Sequence, residues 1–366
     1  MSKIAFILNF ASFYRQNIFL DIEKELKCDF YFGNVDNGRI KKIDFTIFNN
    51  KVDEFNTIKL VHNFTWMCGT LSLLFKPYEK YILTGEPYSI STWCFLILNK
   101  LIGKKTYLWT HGWYGNEGRI KTVIKYFFYK LSDGLFLYGN YAKVLMLKEG
   151  FKEEELHVIY NSLDYNKQLE VRNNLKKSNI YTNHFKNEYK TLLFIGRLTP
   201  VKKLNQIIEV VSNLKKKNKY VNVVFLGDGL EKNRLIDLSK ELGIEKNCWF
   251  YGAVYDELVI SEFIFNADLC VSPGNVGLTA IHALMYGLPV VTHNNLPNQM
   301  PEFEVIKEGI TGGYFEEDNL LELELKISQW LEGGWDREST RKSCYKIIDN
   351  YYNPNYQIKI FKEILI

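Results

Sequence analysis

Two cations stand five residues apart in "LLFIGRLTPVKKLNQIIEVV". Arg197 follows Gly196 at the end of an apolar run, and Lys202 stands just before an amphipathic stretch. Across a tight turn both can face one anion. Arg offers a planar fork and Lys a point charge, a pair that suits a diphosphate. Arginine is scarce, with 8 against 38 lysines, so one placed at a strand end is informative. A solvated loop with a Lys-rich helix start is the plain alternative, and Lys203 fits that description.

A second feature is "SPGNVGLTAIHALMYGLPVV", Ser272 to Val291. Pro273, Gly274, Asn275, Val276 and Gly277 form a turn without bulky polar side chains. A helix then starts at Leu278 and Thr279. The first amides of a helix lack internal partners and carry the positive end of its dipole. A small-residue loop lets a phosphate approach them. The plain alternative is a helix entering a core, with "LTAI" packed inward. One polar side chain, His282, sits in this otherwise apolar helix, as a satisfied buried histidine or as a ligand contact.

Both features require strands that end at turns and helices that begin there. Short apolar runs alternate with amphipathic segments along the whole chain. Strands are expected at "KIAFILNF", "CDFYFG", "KYILTG", "KTYLWTH", "GLFLYG" and "HVIYN" in the first half. In the second they are expected at "TLLFIG", "VNVVFLG", "CWFYG", "DLCVSPG" and "PVVTH". This βαβ alternation implies two α/β units with mostly parallel sheets. The polar stretch 166–190 lacks a sustained apolar period and is expected to be a linker region. Ligands of open parallel sheets lie off the carboxyl ends of the strands. Both features above fall there.

Composition narrows the class. With 366 residues, 46% hydrophobic and 24% charged, the chain is globular and long enough for two cores. A net charge of +4 carried mostly by Lys argues against a nucleic-acid partner. The six cysteines, Cys28, Cys68, Cys94, Cys248, Cys270 and Cys344, show no metal-knuckle or redox spacing, which fits a reducing cytoplasm. The N-terminal run reads as a buried first strand rather than a signal peptide. "STWCFLILNKLIG" is too short to span a bilayer. No Gly-X-Gly-X-X-Gly follows a first strand in either half, which argues against a nicotinamide enzyme.

Taken as an ordered set, "GRLTPVK", "FLGDGLEKNRL", "FYGAVYDEL", "ADLCVSPGNVGLTAIHALMYGLPVV" and "EGITGGYF" resemble the retaining, nucleotide-sugar-dependent glycosyltransferases of family 4. The resemblance is close over about 191–315 and looser before, where "THG" at His111 and "IYNSLDY" match in kind. It implies a GT-B fold, two Rossmann-like domains with parallel sheets facing across a cleft. The expected organisation is an acceptor-binding domain over 1–165, the linker region 166–190 and a donor-binding domain over 191–351. A last helix at about 352–366 crosses back to the first domain.

The resemblance also assigns roles. Arg197 and Lys202, with Gly196 between strand and turn, stabilise the donor diphosphate. The amides of Gly277, Leu278 and Thr279 hold its distal phosphate. Ala253 and Val254 cradle the base through their backbone, and His111 lies beside the transferred sugar. Family members commonly carry two glutamates with seven residues between them. Those places are Gly274 and His282 here, so His282 is expected to read the ribose, with one donor and one acceptor nitrogen. Asn275, the backbone or a carboxylate from "MPEFEVI", Glu302 or Glu304, is left to orient the sugar. The plain alternative for these two acids is a solvated helix face.

The acceptor is expected in the first half, at Phe13, Tyr14, Arg15 and Gln16 after the first strand, with Glu86 nearby. It would be a glycan or lipid-linked glycan of a bacterial surface polysaccharide. No metal or other cofactor is required by this scheme, and no Asp-X-Asp ends a strand. "RIKTVIKYFFYKLSDG" carries Arg119, Lys121, Lys125 and Lys130 among apolar residues. It reads as a core helix with a wet lysine edge or as a contact with the inner face of a membrane. A sugar-nucleotide epimerase and a non-catalytic nucleotide-sugar binder are the competing functions.

Overall fold

The computed structural model describes residues 3–34 and 41–366. The chain divides into two compact units, one of residues 1–164 with 351–366 and one of residues 165–350.

The first unit runs β1 (Ile4–Leu8), α1 (Gln16–Leu26), β2 (Asp29–Gly33), β3 (Val52–Phe55), β4 (Thr57–Lys59), β5 (Thr65–Met67), β6 (Lys80–Thr84), α2 (Ile90–Ile102), β7 (Lys105–Thr110), α3 (Arg119–Lys130), β8 (Gly134–Leu137), α4 (Asn140–Lys148) and β9 (Leu156–Val158). Its seven-stranded sheet has the order β3-β2-β1-β6-β7-β8-β9, and every pair is parallel. Strands β4 and β5 form a separate antiparallel pair.

The period of two along β1 divides the core. Ile4, Phe6 and Leu8 face one cluster with Ile18, Phe19 and Phe30, while Ala5 and Ile7 face another with Tyr81, Phe95 and Phe128. Both faces of such a sheet must be covered, which is why its strands read as unbroken apolar runs.

The second unit runs α5 (Tyr165–Asn174), α6 (Ile180–Phe185), β10 (Lys190–Ile195), α7 (Asn205–Lys216), β11 (Val221–Leu226), α8 (Lys232–Glu241), β12 (Cys248–Phe250), α9 (Glu257–Asn266), β13 (Leu269–Ser272), α10 (Leu278–Met285), β14 (Val290–His293), β15 (Gly312–Phe315), α11 (Leu320–Glu332) and α12 (Arg337–Tyr351). Its sheet has the order β12-β11-β10-β13-β14-β15, again all parallel.

The stretch 166–190, expected as a linker region, lies within the second unit. It folds mostly as α5 and α6, with Tyr181 buried and donating to the Phe263 carbonyl at 2.5 Å. The short strands β3 and β15 carry too few apolar residues, or too many glycines, to announce themselves.

A last helix, α13 (Pro354–Leu365), belongs to the first unit. Asn353 caps it by accepting from the Tyr356 amide at 3.0 Å, and Pro354 starts it where no amide is needed. Its Phe361 packs edge-on against Phe136, with ring centroids 4.6 Å apart, and against Trp109 at 5.4 Å.

In each unit the order of strands reverses direction beside the first strand, between β1 and β6 and between β10 and β13. Ligand crevices of open parallel sheets form at such points.

Candidate functional site

In the second unit the two turns at the switch point touch. Gly196 and Arg197 follow β10, and Pro273 to Gly277 follow β13. The Gly274 amide donates to the Lys202 carbonyl at 3.0 Å, and Thr279 Oγ1 donates to the Ile195 carbonyl at 2.8 Å. The Lys202 ammonium donates to the backbone oxygen of Asn275 at 2.5 Å and to its Oδ1 at 2.8 Å. An ammonium has three donors, so one is left over.

Burial, then the nearby Arg197 charge, lowers the Lys202 pKa to about 8. The two cations therefore feel each other across the turn. Arg197 is exposed, and among the described residues no hydrogen bond or ion pair engages its guanidinium. Lys203 differs: it pairs with Glu317 at 2.8 Å and Asp318 at 2.7 Å, a structural role.

Helix α10 starts beside these cations. Gly277 has φ +53 and ψ −151, a conformation L side chains rarely adopt, and no side chain caps the helix. The loop before it is held from the far side by Gln299. Its Oε1 accepts from the Val276 amide at 2.8 Å, and its Nε2 reaches Thr292 and the His293 carbonyl, both at 2.9 Å. Gln299 escaped the sequence reading because a single glutamine after a Pro-Asn turn carries no pattern. Glu302 lies in a short 3-10 turn, not on a solvated helix face. It is buried, and its charge acts on Lys202. Glu304 is in the same turn and half-buried.

His282 is not a lone polar group. Its Nε2 lies 2.8 Å from Glu257 Oε1. Tyr286 OH at 2.6 Å and Gln168 Nε2 at 3.2 Å donate to the same oxygen. Burial of Glu257 favours its neutral form, but these partners, His282 first, outweigh burial and lower its pKa to about 2. The helix that seemed to lack a carboxylate thus has one delivered from α9. The signal was available in "AVYDELVI", where Asp256 caps α9 by accepting from the Leu258 amide at 2.9 Å and Glu257 opens its first turn. Ala253 and Val254 lie in the loop leading to that cap, Ala253 exposed and Val254 half-buried.

The first unit holds a cavity of about 1230 Å³ at the carboxyl ends of its strands. Tyr14, Arg15, Glu86 and His111 line it, as do Trp109 and Tyr138, whereas Phe13 and Gln16 do not. Phe13 is exposed with the Lys41 ammonium over its ring, rather than packed beneath the following helix. The Arg15 guanidinium lies 5.3 Å from the ring centroids of both Trp109 and Tyr138 and donates to Tyr138 OH at 2.5 Å. His111 sits against Tyr138, ring centroids 4.6 Å apart, and its Nδ1 is buried without a hydrogen-bond partner. Burial, with the Arg15 and Lys125 charges, lowers its pKa to about 4, so the ring is neutral at pH 7.

The loop after His111 is clamped. Lys125 Nζ reaches the Gly112 carbonyl and Glu117 Oε1, both at 2.6 Å, and Glu117 accepts from the amides of Tyr114 and Gly115, each at 2.9 Å. Lys125 therefore points inward and is buried, unlike the wet lysine edge expected of α3.

Residues 176–349, nearly the whole second unit, match the family described as "Glycosyl transferases group 1". A Klebsiella pneumoniae protein named "Uncharacterized 41.2 kDa protein in cps region" is 24% identical over 325 residues, 86% of this chain and 79% of that protein. Among solved structures, the apo form of the lipopolysaccharide outer core galactosyltransferase WaaB superposes with a TM-score of 0.72 at 17% identity, covering 98% of each chain. Anabaena Alr3699/HepE in complex with UDP superposes with a TM-score of 0.72 at 15% identity, covering 99% of each. At these identities the structural likeness establishes the fold, which is GT-B.

Proposed function

We propose that this chain, a glycosyltransferase of GT-B fold by its matched domain and architecture, builds a bacterial surface polysaccharide. It moves a sugar from a nucleoside-diphosphate donor to a glycan or lipid-linked glycan acceptor, as a member of the retaining family 4, on the inner side of the membrane. The observation that carries the reading is the meeting of Arg197, Lys202 and the uncapped start of α10 at the switch point of the second sheet. The names of the similar proteins, a cps-region product and an outer core galactosyltransferase, support the pathway, and the UDP bound by Alr3699/HepE supports a uridine nucleotide.

In the proposed reaction the bond from the anomeric carbon to the diphosphate breaks and one to an acceptor hydroxyl oxygen forms. The hydroxyl proton leaves with the diphosphate. Negative charge grows on the leaving group as the sugar becomes oxocarbenium-like. Fixed cations and helix amides aimed there stabilise that state more than the ground state. Arg197, Lys202 and the amides of Gly277, Leu278 and Thr279 have this role, with no metal required. The His282–Glu257 pair reads the ribose hydroxyls, and Ala253 and Val254 meet the base. Glu302 or Asn275 orients the sugar. His111, neutral and with a free ring nitrogen, meets the transferred sugar. Tyr14, Arg15 and Glu86 meet the acceptor.

A thermal-shift panel of nucleotide sugars tests the donor assignment, because a ligand bound only by the folded chain raises its melting temperature. Stabilisation by one nucleoside diphosphate and its sugars, followed by slow donor hydrolysis, is the expected result. No shift with any nucleotide sugar would overturn it.

A further inference from the structure

The connections along the first sheet are not alike. Strands β6 to β9 are joined in turn through α2, α3 and α4. Between β3 and β6 the described residues form no α-helix. That stretch carries the β4–β5 hairpin and a 3-10 turn, Thr70–Phe75. Irregular connections over a regular sheet are where binding groups concentrate.

A hairpin with three residues in each strand is marginal by itself, and this one is pinned through both strands. The Thr65 amide donates to the Tyr88 carbonyl at 2.9 Å and the Met67 amide to Ser91 Oγ at 3.0 Å. On the other strand the Thr57 amide donates to Asn34 Oδ1 at 2.8 Å. In the register Thr57 lies opposite Met67 and Lys59 opposite Thr65, while Ile58 lies opposite Trp66. Opposed residues share a face. Thr57, Thr65 and Met67 line the cavity of the first unit and Ile58 and Trp66 do not, so one face of the hairpin is turned to it.

The pinning sets two rings side by side. Phe64 ends the hairpin turn, and Tyr88 lies in the loop after β6, which Trp93 Nε1 holds by donating to the Pro87 carbonyl at 2.9 Å. The ring centroids of Phe64 and Tyr88 are 5.8 Å apart and the planes meet at 63°, so the rings form a corner rather than a stack. Both line the cavity, with Phe64 38% and Tyr88 39% exposed. Aromatic groups held open to a cavity suit a ligand with an apolar face of its own.

The polar groups beside the corner narrow the class of that ligand. On the wall made by the hairpin and residues 84–92, Thr57, Thr65, Thr84, Ser89 and Thr92 carry hydroxyls. Among the described residues the only charged side chain on that wall is Glu86, exposed, with no hydrogen bond or ion pair to its carboxylate. The cations of the cavity, Arg15, Arg119, Lys121 and Lys125, come from other elements. A pyranose matches this wall. Its C–H bonds make an apolar face that stacks on an aromatic ring, and its hydroxyls donate to a carboxylate in charge-assisted bonds. A phosphate or an acidic sugar would set its own charge against Glu86, with no cation on the wall to offset it.

We propose that Phe64 and Tyr88 form a platform for an uncharged sugar ring of the acceptor glycan, with Glu86 accepting from its hydroxyls. That the ring belongs to an acceptor rests on the glycosyltransferase reading. The platform itself rests on the cavity wall alone.

The test is binding of neutral disaccharides of glucose, galactose and N-acetylglucosamine to the full chain, read by saturation-transfer NMR beside disaccharides that contain glucuronic acid. Transfer to the ring C–H protons of at least one neutral disaccharide is expected, with little or none to the acidic ones. The double substitution Phe64→Leu/Tyr88→Leu keeps apolar side chains at both places and removes the aromatic faces. It should weaken that binding by about tenfold or more, with the thermal shift given by the donor unchanged. Phe64→Trp should retain the binding. Full binding by the double variant overturns the proposal. So does a preference for the acidic disaccharides, which would put the sugar against the cations instead. No disaccharide bound, together with a normal donor shift, removes the platform alone. A disaccharide bound through Phe64 and Tyr88 without any donor shift keeps the platform and removes the glycosyltransferase reading.

Discussion

A Cβ atom on Gly274 would stand 2.0 Å from the carbonyl oxygen of Val201 and 2.7 Å from the Cα of Lys202. The turn carrying the two cations and the turn preceding α10 are in backbone contact there. No side chain fits at the position where the resembling family commonly has its first glutamate. Gly274→Glu is therefore expected to destabilise the second unit rather than restore a carboxylate. Even Gly274→Ala must push the turns apart, at a cost of about 1–3 kcal/mol. Chemical denaturation checks this, and a Gly274→Ala chain as stable as the wild type would show that the two turns do not touch.

Arg197 is exposed and its side chain engages no partner among the described residues, so its removal should leave the fold intact. If it meets the leaving diphosphate, Arg197→Ala lowers turnover by about a hundredfold, or about 3 kcal/mol of barrier. Steady-state kinetics with the donor found by thermal shift checks it. An ordinary rate would remove Arg197 from the mechanism.

Lys202 makes donor binding depend on pH. Burial and Arg197 hold its pKa down at about 8, so in the free protein the charged form is full well below that value and fades above it. A diphosphate binds the charged form. Affinity should therefore be constant below about pH 8 and fall above it, by up to about tenfold per pH unit, until the raised pKa of the bound state is reached. Free-chain stability runs the other way. Folding depresses this pKa, so the folded chain gains stability as pH rises from about 8 toward the ordinary lysine value. Lys202→Arg, charged throughout, should bind with no such pH step. Calorimetric titration of the nucleoside diphosphate from pH 7 to pH 10 distinguishes the two.

What was legible in the chain follows the same physics. Buried parallel strands must be apolar on both faces, so β1, β6, β7, β8, β10, β11 and β13 stood out as runs and positioned both switch points. The paired cations were visible because five residues span one turn. Glu257 was not, because it reaches His282 through tertiary packing of α9 on α10, 25 positions away in sequence. The inward turn of Lys125 was hidden too. Its partner Glu117 lies in a loop with no period, and a lysine between apolar residues reads equally well as wet edge or buried cation.

The His282–Glu257 pair should discriminate between sugars of the nucleotide. Glu257 Oε1 takes donors from His282, Tyr286 and Gln168, and a charged hydrogen bond to a ribose hydroxyl contributes about 1.5–3 kcal/mol. His282→Ala and Glu257→Gln should each weaken binding of the ribonucleoside diphosphate by about tenfold or more and narrow its preference over the 2′-deoxy form. Titration of both nucleotides reads this directly. A full preference retained in both variants would make the cluster a clamp between helices and nothing more.

Glu117 and Lys125 are buried together, with side chains 2% and 6% exposed, and hold the loop that follows His111. Removing one charge leaves the other unpaired in a poorly solvated place, which typically costs about 3–5 kcal/mol. Burial already pulls the Lys125 pKa down against the pull of Glu117, so Glu117→Gln should release its proton at lower pH still. The variant is expected to unfold at lower denaturant concentration through its first unit. At temperatures where it stays folded it should lose transfer to acceptor more than donor hydrolysis, because the clamp borders the cavity of the first unit while Arg197 and Lys202 lie in the second. Equal losses in the two reactions would mean that the loop does not position the acceptor.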